Sequence, residues 1–153
     1  MLRKIFNLIF LLFFVSSCGY TTIFSDKRNL NFVISEITFT GDEQINNFIE
    51  RELKKHENKE SNKIYKVEIN TYYQKISVAK DLQGNTTDFK LTSNLEMKFL
   101  NKNSGLEKTL NFNENFNIKK NENNYEQNNY ERTIKHNMAQ TLIEKIIFQL
   151  SKD

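Results

Sequence analysis

The chain has 153 residues and a formal net charge of +3, from 22 Lys and Arg against 19 Asp and Glu, a length that suits one domain with a single core. So small a positive excess excludes nucleic-acid binding through bulk charge, and four glycines leave little material for phosphate-cradling loops. Thirteen Phe and six Tyr supply bulk for an interior, and the 22 Asn read as a compositional bias, because the apolar periodicity survives them.

The first predicted element is an export signal over residues 1–17. Arg3 and Lys4 precede an 11-residue apolar run, Ile5 to Val15, which ends in Val15-Ser16-Ser17-Cys18. A membrane-spanning helix needs roughly 20 apolar residues, so this run is too short to remain as one. The four residues at its end resemble the bacterial lipobox, with Ser16 and Ser17 small enough for a protease to reach the backbone and the Cys18 thiol as lipid acceptor. Cys18 is the only cysteine, and acylation removes the hazard of an unpaired thiol in an oxidising compartment. Palmitate and the other acyl chains of a lipoprotein would together make a stable anchor, since one chain alone binds membranes only marginally. Gly19 stands where an Asp would favour inner-membrane retention, which points to the outer membrane. Cleavage removes Arg3 and Lys4 and lowers the formal charge from +3 to +1.

Residues 18–29 are expected to form the lipidated N-terminus and a tether, and residues 30–153 a single domain. Leu30 to Thr40 reads as a strand, with Phe32 and Ile34 on one face and Val33, Ile37 and Phe39 on the other. Gly41 ends it. Asp42 is placed to cap a helix whose apolar stripe runs through Ile45, Phe48, Ile49, Leu53 and His56. Glu57 to Lys63 is a polar loop. From Ile64 to Ala79, Tyr65, Val67, Ile69, Thr71 and Tyr73 alternate with Lys66, Glu68, Asn70 and Tyr72, the pattern of a half-buried strand. A turn over Asp81 to Thr87 precedes a third strand, in which Phe89, Leu91, Leu95, Met97 and Phe99 alternate with Lys90, Thr92, Asn94, Glu96 and Lys98. Asn101 to Gly105 connects it to a fourth, lined by Leu110, Phe112, Phe116 and Ile118. Lys119 to Asn129 is polar and leads into a final helix with Ile134, Met138, Leu142, Ile143, Ile146, Ile147 and Leu150 on one side.

The order β-α-β-β-β-α, with one apolar stripe per helix and alternating strands, predicts an α+β fold: a two-layer α/β sandwich in which two helices cover one face of a four-stranded mixed sheet. A right-handed crossover joins the first two strands if they are parallel, although periodicity leaves the strand order open. Tyr72, Ile76 and Val33 are expected to stay uncovered on the opposite face.

The lipobox with Cys18-Gly19-Tyr20, the short tether, this element order and the closing segment Tyr130-Glu131-Arg132-Thr133-Ile134 to Met138-Ala139-Gln140 resemble the LptE family of lipopolysaccharide-assembly lipoproteins. The resemblance covers essentially the whole mature chain. It implies a non-catalytic plug and assembly partner of the outer-membrane β-barrel LptD, in contact with lipopolysaccharide and anchored by lipid on the periplasmic side of the outer membrane. Lipid A carries phosphates, which Lys and Arg bind through charge-assisted hydrogen bonds. Lys90 and Lys98 on one strand, Lys119 and Lys120 after another, and Arg132 and Lys135 on the last helix are the residues placed to do so. Each is also of a type that ordinarily stands solvated at a surface. Tyr125 and Tyr130 suit either interface anchoring or packing of the helix onto the sheet.

Catalysis finds no support. His56 and His136 stand in no metal-ligand spacing, no nucleophile elbow or P-loop is present, and no cofactor is implied. Asp81, Asp88 and Glu96 form a carboxylate pair only on paper. The rival reading is an auxiliary lipoprotein of another envelope lipid-transport or assembly complex.

Overall fold

The computed structural model of the chain describes residues 32–152. The expected signal over 1–17, the lipid acceptor Cys18 and the tether to Asn29 lie outside the described residues.

The strands are β1 (Val33–Gly41), β2 (Ile64–Lys80), β3 (Thr86–Asn101) and β4 (Glu107–Lys119), and the helices are α1 (Glu43–His56) and α2 (Asn124–Lys152). They form one mixed sheet in the order β1-β2-β3-β4, with β1 parallel to β2 and the other pairs antiparallel. The expected two-layer α+β arrangement is therefore present, and the strand order is settled. Residues of β2 and β3 two apart line up across the sheet, Val67 opposite Phe99, Ile69 opposite Met97 and Thr71 opposite Leu95. This row faces the helices and is buried with Ile45, Ile49 and Leu53 of α1 and Leu142, Ile143, Ile146 and Leu150 of α2. A second cluster joins Leu91 and Ile118 of the sheet to Ile134 and Met138.

Four expectations are corrected. β1 does not divide its apolar residues between two faces: the register slips between Ile34 and Glu36, and this bulge brings Ile34, Ile37 and Phe39 all against the core. Val33 is half-buried rather than uncovered, whereas Tyr72 and Ile76 are exposed as expected. His56 is exposed at the end of α1 and does not continue its apolar stripe. The last helix begins at Asn124, because the Asn123 carboxamide oxygen accepts from the N–H groups of Tyr125 (3.0 Å) and Glu126 (3.3 Å), a cap hidden among many asparagines. Phe116, at the β4 edge, is also left exposed.

The β1–α1 junction is tied to β2. Gly41 has φ of +95°, the Asp42 N–H donates to the Thr71 carbonyl at 3.1 Å, and the Asp42 carboxylate accepts from the Ile45 N–H at 3.0 Å to cap α1. The Thr71 hydroxyl donates to the Asn46 carboxamide oxygen (2.7 Å), and Asn46 donates to the Thr40 carbonyl (3.0 Å).

Candidate functional site

The sheet face turned away from the helices is left uncovered by the fold. Even-numbered residues of β2 and β3 and odd-numbered residues of β4 build it in rows, since strand neighbours alternate between faces. Asn70 lies opposite Glu96 and then Asn111; Tyr72 lies opposite Asn94 and then Asn113; Gln74 lies opposite Thr92 and then Asn115. The amides bond to one another. Asn113 donates to Asn94, Asn115 donates to Asn113, and the Thr92 hydroxyl donates to the Asn115 carboxamide oxygen at 2.9 Å. Two charge pairs on this face are close, Lys66 with Glu36 at 3.1 Å and Lys98 with Glu96 at 3.5 Å, while Lys90 and Glu68 stand there without an ion pair among the described residues, one of each sign. Two adjoining depressions run across it, sharing Asn70 and Glu96. The result is a flat, nearly neutral plane of hydrogen-bonding groups with Tyr72 exposed on it. Asn111, Asn113, Asn115 and Asn117, at two-residue spacing, were the available sequence signal for this face.

The exposed apolar side chains Tyr72, Ile76, Val78 and Leu82 all belong to the β2–β3 hairpin. β1 pairs with β2 only as far as Thr71, so residues 72–80 project beyond it by about 30 Å of strand. Tyr125 is 75% exposed and so does little packing, whereas Tyr130, 47% exposed, has about half of its surface covered.

The six expected phosphate-binding residues do not converge. Lys90 and Lys98 stand on the outer face of β3, Lys119 and Lys120 line a depression with Asn121 and Tyr130 at the end of β4, and Arg132 lines a groove between the helices. Lys135 turns to the Asp42 carboxylate at 2.6 Å and sits 4.5 Å from the centre of the Tyr73 ring. The three carboxylates that sequence could pair on paper also have separate tasks. Asp81 accepts from the Gln83 and Asn85 N–H groups within the hairpin turn, Asp88 accepts from the Thr87 hydroxyl, and Glu96 meets Lys98.

Lys135, Asp42 and Tyr73 form a half-buried polar cluster that sequence spacing did not reveal. Burial first, then the Glu131 and Asp42 carboxylates, push the Tyr73 phenol from 10.0 up to about 12. The folded chain thus holds this proton more tightly than the unfolded chain. Its stabilising effect is complete below about pH 10 and is lost as the pH rises toward 12. Urea midpoints followed over that alkaline range should decline less steeply in Tyr73→Phe than in the parent, and parallel declines would refute the assignment.

Comparison with known proteins follows the same division between fold and surface. No curated protein sequence matches the chain. The crystal structure of rare lipoprotein B from Shewanella oneidensis is similar with a TM-score of 0.55 at 6% identity, over 74% of this chain and 95% of that one. A putative lipoprotein from Caulobacter crescentus also gives a TM-score of 0.55, at 14% identity, over 82% and 92% of the two chains. The solution structure of lipoprotein B from Nitrosomonas europaea gives 0.52 at 14% identity, over 81% and 87%. These likenesses establish a shared fold. A model of the LptE lipopolysaccharide-assembly family matches residues 32–150, from the buried Phe32 to the last core residue of α2, and the chain therefore belongs to that family of lipoproteins.

Proposed function

We propose that the chain is a non-catalytic plug and assembly partner of an LptD-like outer-membrane β-barrel, tethered through acylated Cys18 on the periplasmic side after removal of residues 1–17, and that it assists the assembly of lipopolysaccharide at the outer leaflet. The observation that carries this reading, beside family membership, is the bare outer sheet face. Barrel lumens are polar, so a protein seated in one needs a surface rich in hydrogen-bonding groups and poor in unpaired charge. The Asn94, Asn111, Asn113 and Asn115 plane has that character. The exposed hairpin side chains Tyr72 and Ile76 add apolar contact at its margin. Lys90, Lys119, Lys120 and Arg132, which have no ion pair among the described residues, are the basic groups free to meet glycolipid phosphate; Lys98 and Lys135 are already engaged by Glu96 and Asp42.

The test is affinity capture from detergent-solubilised envelopes. The parent chain should retain a barrel protein, and the double variant Asn94→Lys, Asn113→Lys should lose most of it while melting normally, because two buried unpaired ammonium groups oppose docking. Cys18→Ser should leave the membrane fraction. Absence of any barrel partner sinks the partnership, whereas full retention by the double variant moves the contact to another face. Depletion of the protein should strand lipopolysaccharide beneath the surface, and normal surface display would count against the role.

A further inference from the structure

A groove of about 370 Å³ runs between α1 and α2, on the opposite layer of the molecule from the outer sheet face. Its walls are Gln44, Asn47, Phe48 and Arg51 on one helix and Arg132, Lys135, His136 and Ala139 on the other. Each set follows a spacing of three and four residues, so each lines one helical stripe. The buried Phe48 and Ala139 make an apolar floor, and the arginines and His136 stand at the mouth.

The charge of this groove is one-sided. No carboxylate lines it. On α1, Glu50 is engaged by Lys54 at 2.7 Å and Glu52 by Lys55 at 2.5 Å, which leaves Glu43, at the start of the helix and outside the groove lining, as its remaining carboxylate. Arg51 approaches Glu52 only at 3.9 Å, with its side chain 63% exposed, and its guanidinium lies 5.5 Å from the centre of the Phe48 ring. That ring in turn meets the His136 imidazole edge-on at 4.3 Å. Arg132 has no ion pair among the described residues, and the Lys135 charge is answered by Asp42. Two guanidinium groups with unused donors therefore share one cleft. One of them rests against an aromatic ring, which limits the freedom lost on binding.

We propose that this groove binds a phosphate group, clamped by Arg51 and Arg132 with His136 as an additional hydrogen-bonding partner. Guanidinium forks match the oxygen geometry of phosphate and stay charged at any physiological pH. The phosphate belongs either to a soluble phosphomonoester or to a lipid headgroup, and the chemistry of recognition is the same for both. The proposal shares Arg132 with the reading above but does not depend on a barrel partner.

The full chain in a neutral detergent is titrated with inorganic phosphate, then with short-chain phosphatidic acid and short-chain phosphatidylcholine, while arginine Nε–H and histidine ring resonances are followed. Saturable movement of the Arg51, Arg132 and His136 signals is expected. Saturation by inorganic phosphate indicates a soluble ligand, and saturation by phosphatidic acid alone indicates a headgroup. Arg51→Ala and Arg132→Ala should each weaken binding by about tenfold, the loss of one charge-assisted contact. Asn47→Glu places a carboxylate on the exposed wall and should weaken it similarly, so a failure of either arginine variant to fold leaves the question decidable. Shifts that sodium chloride reproduces at matched ionic strength would overturn the site, as would an affinity unchanged in all three variants.

Discussion

Gly41→Ala should lower the free energy of unfolding by about 3–5 kcal/mol, the largest loss expected at the three described glycines. Two costs combine. The backbone at Gly41 has φ of +95°, which an L side chain adopts only with strain, and a Cβ there would lie 1.7 Å from the Thr71 carbonyl oxygen and 2.7 Å from its carbon. Those are backbone atoms of the central strand pair, so no side chain can move aside. Relief requires β1 and β2 to separate where Asp42 enters α1. A loss of this size is a large share of the roughly 5–15 kcal/mol that holds a typical domain folded. Gly84 is an internal control, since its φ is +87° but nothing lies within 4 Å of a Cβ. Gly84→Ala should cost only about 1 kcal/mol. Equal urea midpoints for the two variants would show that the close approach to Thr71 is not what demands glycine.

Asp42→Ala is expected to cost about 3 kcal/mol, because Asp42 does two things at once. Its Oδ1 accepts from the Ile45 N–H, and its Oδ2 meets Lys135 at 2.6 Å. Loss of an N-cap costs about 1 kcal/mol. The remainder comes from Lys135, whose side chain is only 15% exposed and would be left with a poorly solvated charge beside the Tyr73 ring. Asp42→Asn keeps the cap and removes the charge, so it should fall between the parent and the alanine variant. Lys135→Met should cost about 1 kcal/mol alone and should recover part of the Asp42→Ala loss in the double variant, a coupling of about 1–2 kcal/mol. Strict additivity in chemical unfolding would mean that the pair contributes nothing beyond its separate members.

Much of this architecture was written in alternation. The odd-numbered run from Tyr65 to Tyr73 and its counterpart from Leu91 to Phe99 identified both central strands and their buried face, since a two-residue period allows only one register against a core. Asp42 was recognisable as a cap from its place between Gly41 and a helical stripe. The first strand misled because its apolar residues fall on both parities, and only pairing with β2 exposes the slip after Ile34 that reconciles them. The start of α2 was missed because its first turns carry almost no apolar residue, and the cap that stabilises them is one asparagine among several. The helix groove was illegible for a different reason. Arg51 and Arg132 each stand on an ordinary polar face, and only packing of α1 beside α2 places them across one cleft.

The chain enters the fold at Phe32, beside Lys63 and the β3–β4 turn, while the β2–β3 turn, Lys120 and Tyr125 gather at the far end of the sheet. The 17 residues of β2 separate these two poles by about 50 Å. A leash joined at Phe32 would restrain one pole only, and the opposite pole, with Lys120 and the exposed Tyr125, would stay free to turn toward a partner.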